Sequence, residues 1–144
     1  MPRVIHFEIP AENAERAAEF YKSVFGWKIK DAGMPMPYFL ARTGKEGTMG
    51  IDGAIMDKKG TTAQTVTNTI DVRSVDESVA KITKAGGKQV TQKDSIPGIG
   101  DFCYCTDTEG NLFGILQPLP RQRPAKKAAK KFAAKKRTAK KSRR

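Results

Sequence analysis

The sequence predicts an α+β fold built from two copies of a β-α-β-β-β module, at residues 1–57 and 64–118. Hydrophobic periodicity predicts a strand, a helix and three more strands in the same order twice. The stretch 4–27 recurs in fainter form at 65–90, displaced by 61 positions. The aligned pairs include Ile9 with Ile70, Ala18 with Val79, Gly26 with Gly87 and Ile29 with Val90. Internal repetition of this length indicates a duplicated structural unit.

The first module opens with a strand that has two different faces. Residues 3–9 alternate with the two-residue period of a strand, which places His6 and Glu8 on one face and apolar side chains on the other. A helix follows, with Asn13 as its predicted N-cap and Gly26 as its stop. Because its apolar stripe covers the apolar face of the strand, His6 and Glu8 are predicted to face away from the helix. Three further strands are predicted at 27–30, 38–43 and 48–56.

The second module repeats this order after a polar linker. Residues 65–72 form its predicted first strand, and Ser74 with Glu77 matches the capping box that begins a helix. The pair Gly86-Gly87 is predicted to end that helix. Three more strands are predicted at 88–91, 101–106 and 111–117. The chain therefore contains the same unit twice within its first 120 residues.

Charge divides the chain into a domain, residues 1–120, and a basic tail, residues 121–144. The tail holds 13 of the 27 basic residues and no acidic residue. The domain contains the other 14 basic residues and all 15 acidic residues, so its net charge is −1. The tail resembles the lysine- and alanine-rich tails of linker histones and is predicted to be disordered, because it repels itself and offers little apolar surface. We expect it to bind nucleic acid or another polyanion through its cations, without reading sequence. The predicted nucleic-acid-binding residues are Lys126, Lys127, Lys130, Lys131, Lys135, Lys136, Arg137, Lys140 and Lys141.

The sequence favours a cytoplasmic protein that makes no membrane contact. No stretch approaches the ~18 apolar residues of a membrane span, and the N-terminus lacks the apolar core of a signal peptide. Cys103 and Cys105 lie two apart on one predicted strand, where a disulfide between them would be strained. Without another cysteine or a second histidine, they are predicted to pack in the core rather than bind metal. Reduced thiols indicate a reducing compartment, with association to the nucleoid if the tail binds DNA.

Three sequence features together resemble a known superfamily. They are His6 on the first strand, FY-x3-FG at 20–26 and DTEGNLFGIL at 107–116. In a doubled unit they resemble the vicinal oxygen chelate (VOC) superfamily of glyoxalase I, bleomycin resistance proteins and extradiol dioxygenases. The resemblance implies that the two modules form a curled mixed sheet around a cavity, the glyoxalase/bleomycin resistance/dioxygenase fold. Members of that superfamily often pair as dimers, so the resemblance makes a homodimer an expectation that the sequence itself does not decide.

The resemblance also identifies four positions for a metal ion, one on the first and one on the last strand of each module. It places His6, Gly53, Thr67 and Gly114 at these positions. Only His6 is a usual ligand, whereas a catalytic ion generally needs about three protein ligands. The prediction is therefore that the domain binds no metal and no cofactor.

A pocket for an apolar or aromatic small molecule fits the sequence better. Leu112, Gly114 and Leu116 alternate onto one face of the last strand, which makes an apolar wall with a gap. At two of the four metal positions a glycine stands where a carboxylate could have been. A pocket there would have more space for a ligand and less charge. The predicted ligand-binding residues are His6, Glu8, Gly53, Thr67, Leu112, Gly114 and Leu116.

Three functions stay open at this point. The first is a metal-independent VOC-type small-molecule-binding protein whose basic tail binds nucleic acid non-specifically. The second is a glyoxalase- or dioxygenase-like metal-dependent enzyme, a lyase or oxidoreductase, whose atypical metal site includes His6 and Glu8. The third is a purely architectural nucleic-acid protein, whose domain binds no metabolite. Separately from these functions, His6 and Glu8 have a structural alternative, in which hydrogen bonds or water satisfy both side chains. No residue is assigned a catalytic role.

Overall fold

A computed structural model of the chain describes residues 1–120 as one mixed sheet with two helices on one of its faces. The basic tail, with the nucleic-acid-binding residues predicted in it, lies outside the described residues. The described elements, in chain order, are β1 (Val4–Ala11), α1 (Ala14–Phe25), β2 (Lys28–Asp31), β3 (Tyr38–Arg42), β4 (Gly53–Asp57), β5 (Thr67–Asp71), α2 (Val75–Lys84), β6 (Lys88–Gln89), β7 (Asp94–Ile96), β8 (Gly100–Thr106) and β9 (Leu112–Pro118).

The strand order shows the duplication directly. Along the sheet it is β2-β3-β4-β1-β5-β9-β8-β6, with β7 pairing β8. In each module the first strand pairs in parallel with the last, β1 with β4 and β5 with β9. The modules join within the chain through the antiparallel pair β1 and β5. The predicted α+β fold of two β-α-β-β-β modules is confirmed.

The helix ends are capped as the sequence predicts. Asn13 Oδ1 accepts a hydrogen bond from the backbone N–H of Arg16 at 2.8 Å, and α1 ends at Gly26, whose φ of 68° lies in the left-handed region. Ser74 Oγ accepts from the backbone N–H of Glu77 at 3.2 Å. Both helices therefore begin on side-chain caps that satisfy otherwise free backbone donors.

Each helix covers its own buried cluster on one face of the sheet. Under α1 the cluster consists of Ala14, Ala18 and Ile55. Under α2 it consists of Val75, Cys103, Cys105 and Ile115. Both cysteines are free thiols buried in this core, with their sulfur atoms 3.9 Å apart, as the packing prediction required. The opposite side of the sheet carries neither helix, and we call it the open face.

Two details differ from the sequence prediction. The strand predicted at 48–56 begins only at Gly53, because residues 43–52 form a loop in which Thr43 binds back to Asp52 and Ile51. The short strand β7 was not predicted, since three residues are too few to show a period; it forms by pairing with β8. No helix within residues 1–120 is long and apolar enough to cross a bilayer.

Candidate functional site

Glu8 is a buried acidic residue at the centre of the open face. It lies on β1, which pairs with the strand of the other module, and it is only 7% exposed. Tyr104 Oη donates a hydrogen bond of 2.5 Å to Glu8 Oε1. The contact joins the two modules, because Tyr104 belongs to β8 of the second one.

This hydrogen bond also shows that the sheet curls. β8 is separated from β1 by β9 and β5, so the two backbones would lie about 14 Å apart in a flat sheet with a strand spacing of ~4.8 Å. A direct contact between one tyrosine and one glutamate over that span requires the strands to bend towards each other. The open face is therefore concave, and its side chains converge on Glu8.

A second tyrosine reaches the same point from the other arm of the sheet. Tyr38 lies on β3, and its Oη shares a hydrogen bond of 3.2 Å with Nε2 of His6 on β1. Burial, together with the charge of Glu8, raises the pKa of both Tyr38 and Tyr104 far above the usual range, and the hydrogen bond to Glu8 adds to the effect on Tyr104. Burial lowers the pKa of His6 below its ordinary value of 6.5, against the opposing charges of Glu8 and Asp52. At neutral pH both tyrosines hold their protons and His6 is uncharged.

Two threonines of β5 complete the polar cluster. Thr67 pairs with Glu8 across the β1/β5 ladder, and Thr69 pairs with His6, so all four side chains share the open face. Thr67 is 2% exposed, and its Oγ1 is buried without a hydrogen-bond partner among the described residues. Such an atom costs free energy as long as it makes no hydrogen bond.

The apolar wall is present, but its gap is filled. Gly114 pairs with Thr69 and lies on the open face between Leu112 and Leu116, as the sequence predicts. A Cβ at Gly114 would stand 2.5 Å from the ring of Phe102. The glycine therefore makes room for the Phe102 ring rather than for extra ligand, which corrects the expectation of an empty gap.

The prediction for Gly53 is wrong about the face. Gly53 pairs with Phe7, and a Cβ there would meet the Phe7 ring at 2.5 Å; that ring packs against Trp27 on the helix side. Ala54, which pairs with Glu8, takes the predicted place on the open face. A shift of one residue in register reverses the face of every side chain on a strand, and this is the cause of the error.

A divalent ion does not fit this set of side chains. Of the four predicted metal positions, His6 has an imidazole, Thr67 has a neutral hydroxyl, Gly114 has no side chain, and Gly53 faces the helices. Glu8 adds one carboxylate, which Tyr104 already binds. Within residues 1–120 no group of three His, Cys, Asp or Glu is close enough to hold a metal ion. We therefore assign no step of chemistry to a metal.

Sequence reasoning missed the three aromatic residues of the site. The strands predicted at 38–43 and 101–106 include Tyr38, Phe102 and Tyr104, but the sequence analysis gives none of the three a role. The pairing of Tyr104 with Gly114 now fixes its face. The sequence does contain a signal for the face of Tyr104, because this residue lies between Cys103 and Cys105 on one strand. Since successive side chains of a strand point to opposite faces, two cysteines packed under α2 place Tyr104 on the other face.

The fold and the site define a two-module β-α-β-β-β protein with a polar cluster in a curled sheet. A family model described as "Bleomycin resistance protein-like N-terminal" matches residues 3–40. A "Glyoxylase-like domain-containing protein" of Didymella fabae is 30% identical over 112 residues, which cover 75% of this chain and 88% of that protein. The chain belongs to the glyoxalase/bleomycin resistance superfamily, the VOC superfamily that its motifs resemble.

Solved structures agree on the fold. Methylmalonyl-CoA epimerase from Mycobacterium tuberculosis superposes with a TM-score of 0.63 at 13% identity, over 81% of this chain and 88% of that one. A glyoxalase/bleomycin resistance protein/dioxygenase superfamily member from Vibrio splendidus 12B01 gives a TM-score of 0.59 at 14% identity, over 83% and 100%. At these identities the likeness concerns the fold alone.

Proposed function

We propose that the domain is a metal-independent small-molecule-binding protein whose ligand lies on the open face beside Glu8. The observation that carries the proposal is the buried hydroxyl of Thr67, which has no partner in the described chain. Leaving such a group unsatisfied costs about 1–3 kcal/mol. If neighbouring side chains move so that a ligand atom reaches Thr67 Oγ1 and hydrogen-bonds it, this cost is removed, and its removal favours binding.

The surroundings of Thr67 support an apolar or aromatic ligand that carries a polar group. Phe102, Leu112 and Leu116 lie on the same face of the sheet and are partly exposed. Binding sites for small molecules combine apolar walls with a few convergent polar groups, and the cluster around Glu8 supplies those groups here. The polar end of the ligand would therefore lie at Glu8 and Thr67, and its hydrocarbon part against β8 and β9.

Fragment binding followed by NMR tests the proposal. Aromatic fragments are added to the ¹⁵N-labelled full chain, and we expect amide shifts at Glu8, Thr67 and Tyr104 that are weakened in Thr67→Val. The groove beside the start of α1, near Ala17 and Tyr21, provides the internal comparison. Shifts confined to that groove, or no shifts at all, would overturn the proposal.

Metal analysis separates this proposal from the enzyme reading. A glyoxalase- or dioxygenase-like mechanism that depends on a metal predicts a stoichiometric ion in the purified chain, lost with His6→Ala. The binding proposal predicts that a chelator leaves fragment affinity unchanged. A tightly held ion whose removal abolishes fragment binding would contradict it.

We further propose that residues 121–144 attach the domain to nucleic acid. The support is the composition alone: the segment holds nearly half of the basic residues and no acidic one. Deleting it should abolish retention on heparin or duplex DNA at low salt, and the retention of the full chain should fall steeply with salt. The matched control is the full chain with the lysines of the segment changed to glutamine. Retention that survives the deletion would show that the domain itself binds.

The homodimer stays a proposal as well. Large apolar side chains on the outer side of α1 support it, because Phe20, Val24 and Phe25 are each more than half exposed. Sedimentation of the full chain at micromolar concentration tests it, and a monomer would exclude it.

A further inference from the structure

Glu8 is a buried carboxylate without a cationic partner. It is 93% removed from solvent by the folded chain, since its exposure is 7%. The ion pairs found within residues 1–120 join other residues, on the surface. Buried acids in proteins are normally paired with a cation, because removing a charge from water is expensive. The hydrogen bond from Tyr104 supplies a neutral donor but no positive charge.

The groups that face Glu8 add no positive charge. His6 is uncharged at neutral pH, since burial lowers its pKa, and the charges that act on it are the carboxylates of Glu8 and Asp52. Tyr38 and Tyr104 are neutral phenols whose pKa values are raised by burial and by Glu8. Within residues 1–120, no cation is therefore found among the side chains that contact or pair with Glu8. The cations that share the open face in the first module, Lys28, Lys30 and Arg42, lie on β2 and β3, towards the edge of the sheet.

Three aromatic side chains lie on the open face near Glu8. Tyr38 arrives from one arm of the sheet and Tyr104 from the other, and the Phe102 ring lies perpendicular to Tyr104 with 4.8 Å between the ring centroids. Aromatic faces attract cations, and aromatic cages are a common means of holding organic ammonium groups. The unpartnered Oγ1 of Thr67 is an acceptor directly beside the carboxylate.

We infer that the ligand of this site carries an organic ammonium group, which donates hydrogen bonds to Glu8 and to Thr67 Oγ1. The inference rests on the proposed binding function and names its ligand class: an aliphatic or aromatic amine that is protonated at neutral pH. Its hydrocarbon part lies against Phe102, Leu112 and Leu116. A ligand with a carboxylate or phosphate at this position would be repelled by Glu8, and a divalent ion would lack ligands.

Matched sets of probes test the inference on the full chain. Phenyl, naphthyl, indolyl and cyclohexyl groups are each presented as the ethylammonium, the ethanol and the acetate derivative, and affinities are measured by NMR titration. We expect the ammonium members to bind at least about tenfold more tightly than the matching alcohols, and the acetates to bind least. Shifts should centre on Glu8 and Thr67.

Two variants locate the charge that sets the preference. Glu8→Gln keeps the shape and removes the charge, so the preference for ammonium over alcohol should disappear. Glu15→Gln removes the same charge from an exposed position on α1, on the other side of the sheet, and should leave the preference intact. A preference that survives Glu8→Gln would overturn the inference.

The comparison in the unmodified chain stands even if Glu8→Gln does not fold. Alcohols that bind on the open face as tightly as ammonium ions would overturn the ammonium inference and leave the proposed binding function in place. If no member of any set shifts Glu8 or Thr67, both the inference and the proposed function fail.

Discussion

Replacing Thr67 with valine should make the protein more stable. Valine has nearly the same shape and the same β-branching, so the strand and its packing are preserved while the hydroxyl is exchanged for a methyl group. Thr67 is 2% exposed and its Oγ1 has no partner in the described part of the chain. An unsatisfied buried hydroxyl costs about 1–3 kcal/mol, and we expect most of this to be recovered.

Urea unfolding of the full chain measures the effect. We expect the free energy of unfolding of Thr67→Val to rise by about 1–2 kcal/mol at unchanged m-value, which corresponds to roughly 3–8 °C in Tm for a domain of this size. Thr69→Val is the matched control, since Thr69 is 4% exposed on the same strand and face but is not among the buried atoms without a partner. Its gain should be smaller.

A loss of stability in Thr67→Val would refute the reasoning. It would mean that the hydroxyl has a partner in solution, so the cost that we assign to the empty site does not exist. A gain in stability together with weaker fragment binding would instead show that Thr67 is kept for binding at the expense of stability.

Three further predictions concern Gly114, His6 and Cys105. Gly114→Ala should destabilise the domain by about 1–3 kcal/mol, because the added Cβ meets the Phe102 ring. In a Phe102→Leu background this loss of stability should be smaller. A double-mutant cycle of urea unfolding curves measures both losses, and equal losses would disprove the clash. The single histidine, His6, should titrate below pH 6.5 by NMR. The stability of the fold should decrease as the pH drops below 6.5, because the unfolded chain then binds a proton that the folded chain does not yet bind. A titration midpoint of His6 at or above pH 6.5 contradicts this. Burial raises the pKa of the Cys105 thiol from 9.0 to about 12, so the stability that this thiol contributes should be complete below pH 9 and lost between pH 9 and 12. Over that interval the urea midpoint of Cys105→Ala should decrease less with pH than that of the unmodified chain. The same decrease in both proteins would be evidence against the prediction.

The fold could be predicted because its signals are local. The period of residues 3–9, the cap at Asn13, the stop at Gly26 and the cap at Ser74 each depend on a few neighbouring residues, and the structure has each of them. The repeat at 61 positions then orders the local elements into two modules. The faces of His6 and Glu8 were predicted correctly for the same reason, since alternation along one strand fixes them relative to α1.

The site could be predicted only in part because it depends on register and curvature. The offset of 61 holds across the β1/β5 ladder, but Phe7 pairs with Gly53 in the first module whereas Thr69 pairs with Gly114 in the second. The two parallel pairs thus differ by one residue, which turned Gly53 to the helix side. No pattern along one strand reports how far another strand bends, so the approach of Tyr104 to Glu8 was not visible in the sequence.

The duplication also explains why the site carries a single charge. The β1/β5 ladder is symmetric about the pair Phe7 and Asn68, so Thr67 is the counterpart of His6 and Thr69 is the counterpart of Glu8. An ion held on this axis would require charged or imidazole ligands from both modules, but the second module supplies only neutral hydroxyl groups. The carboxylate of the first module therefore faces an acceptor and aromatic rings rather than further metal ligands. Such an arrangement suits the recognition of one polar end of a small molecule, and this is why the proposed preference for ammonium ligands is tested at Glu8.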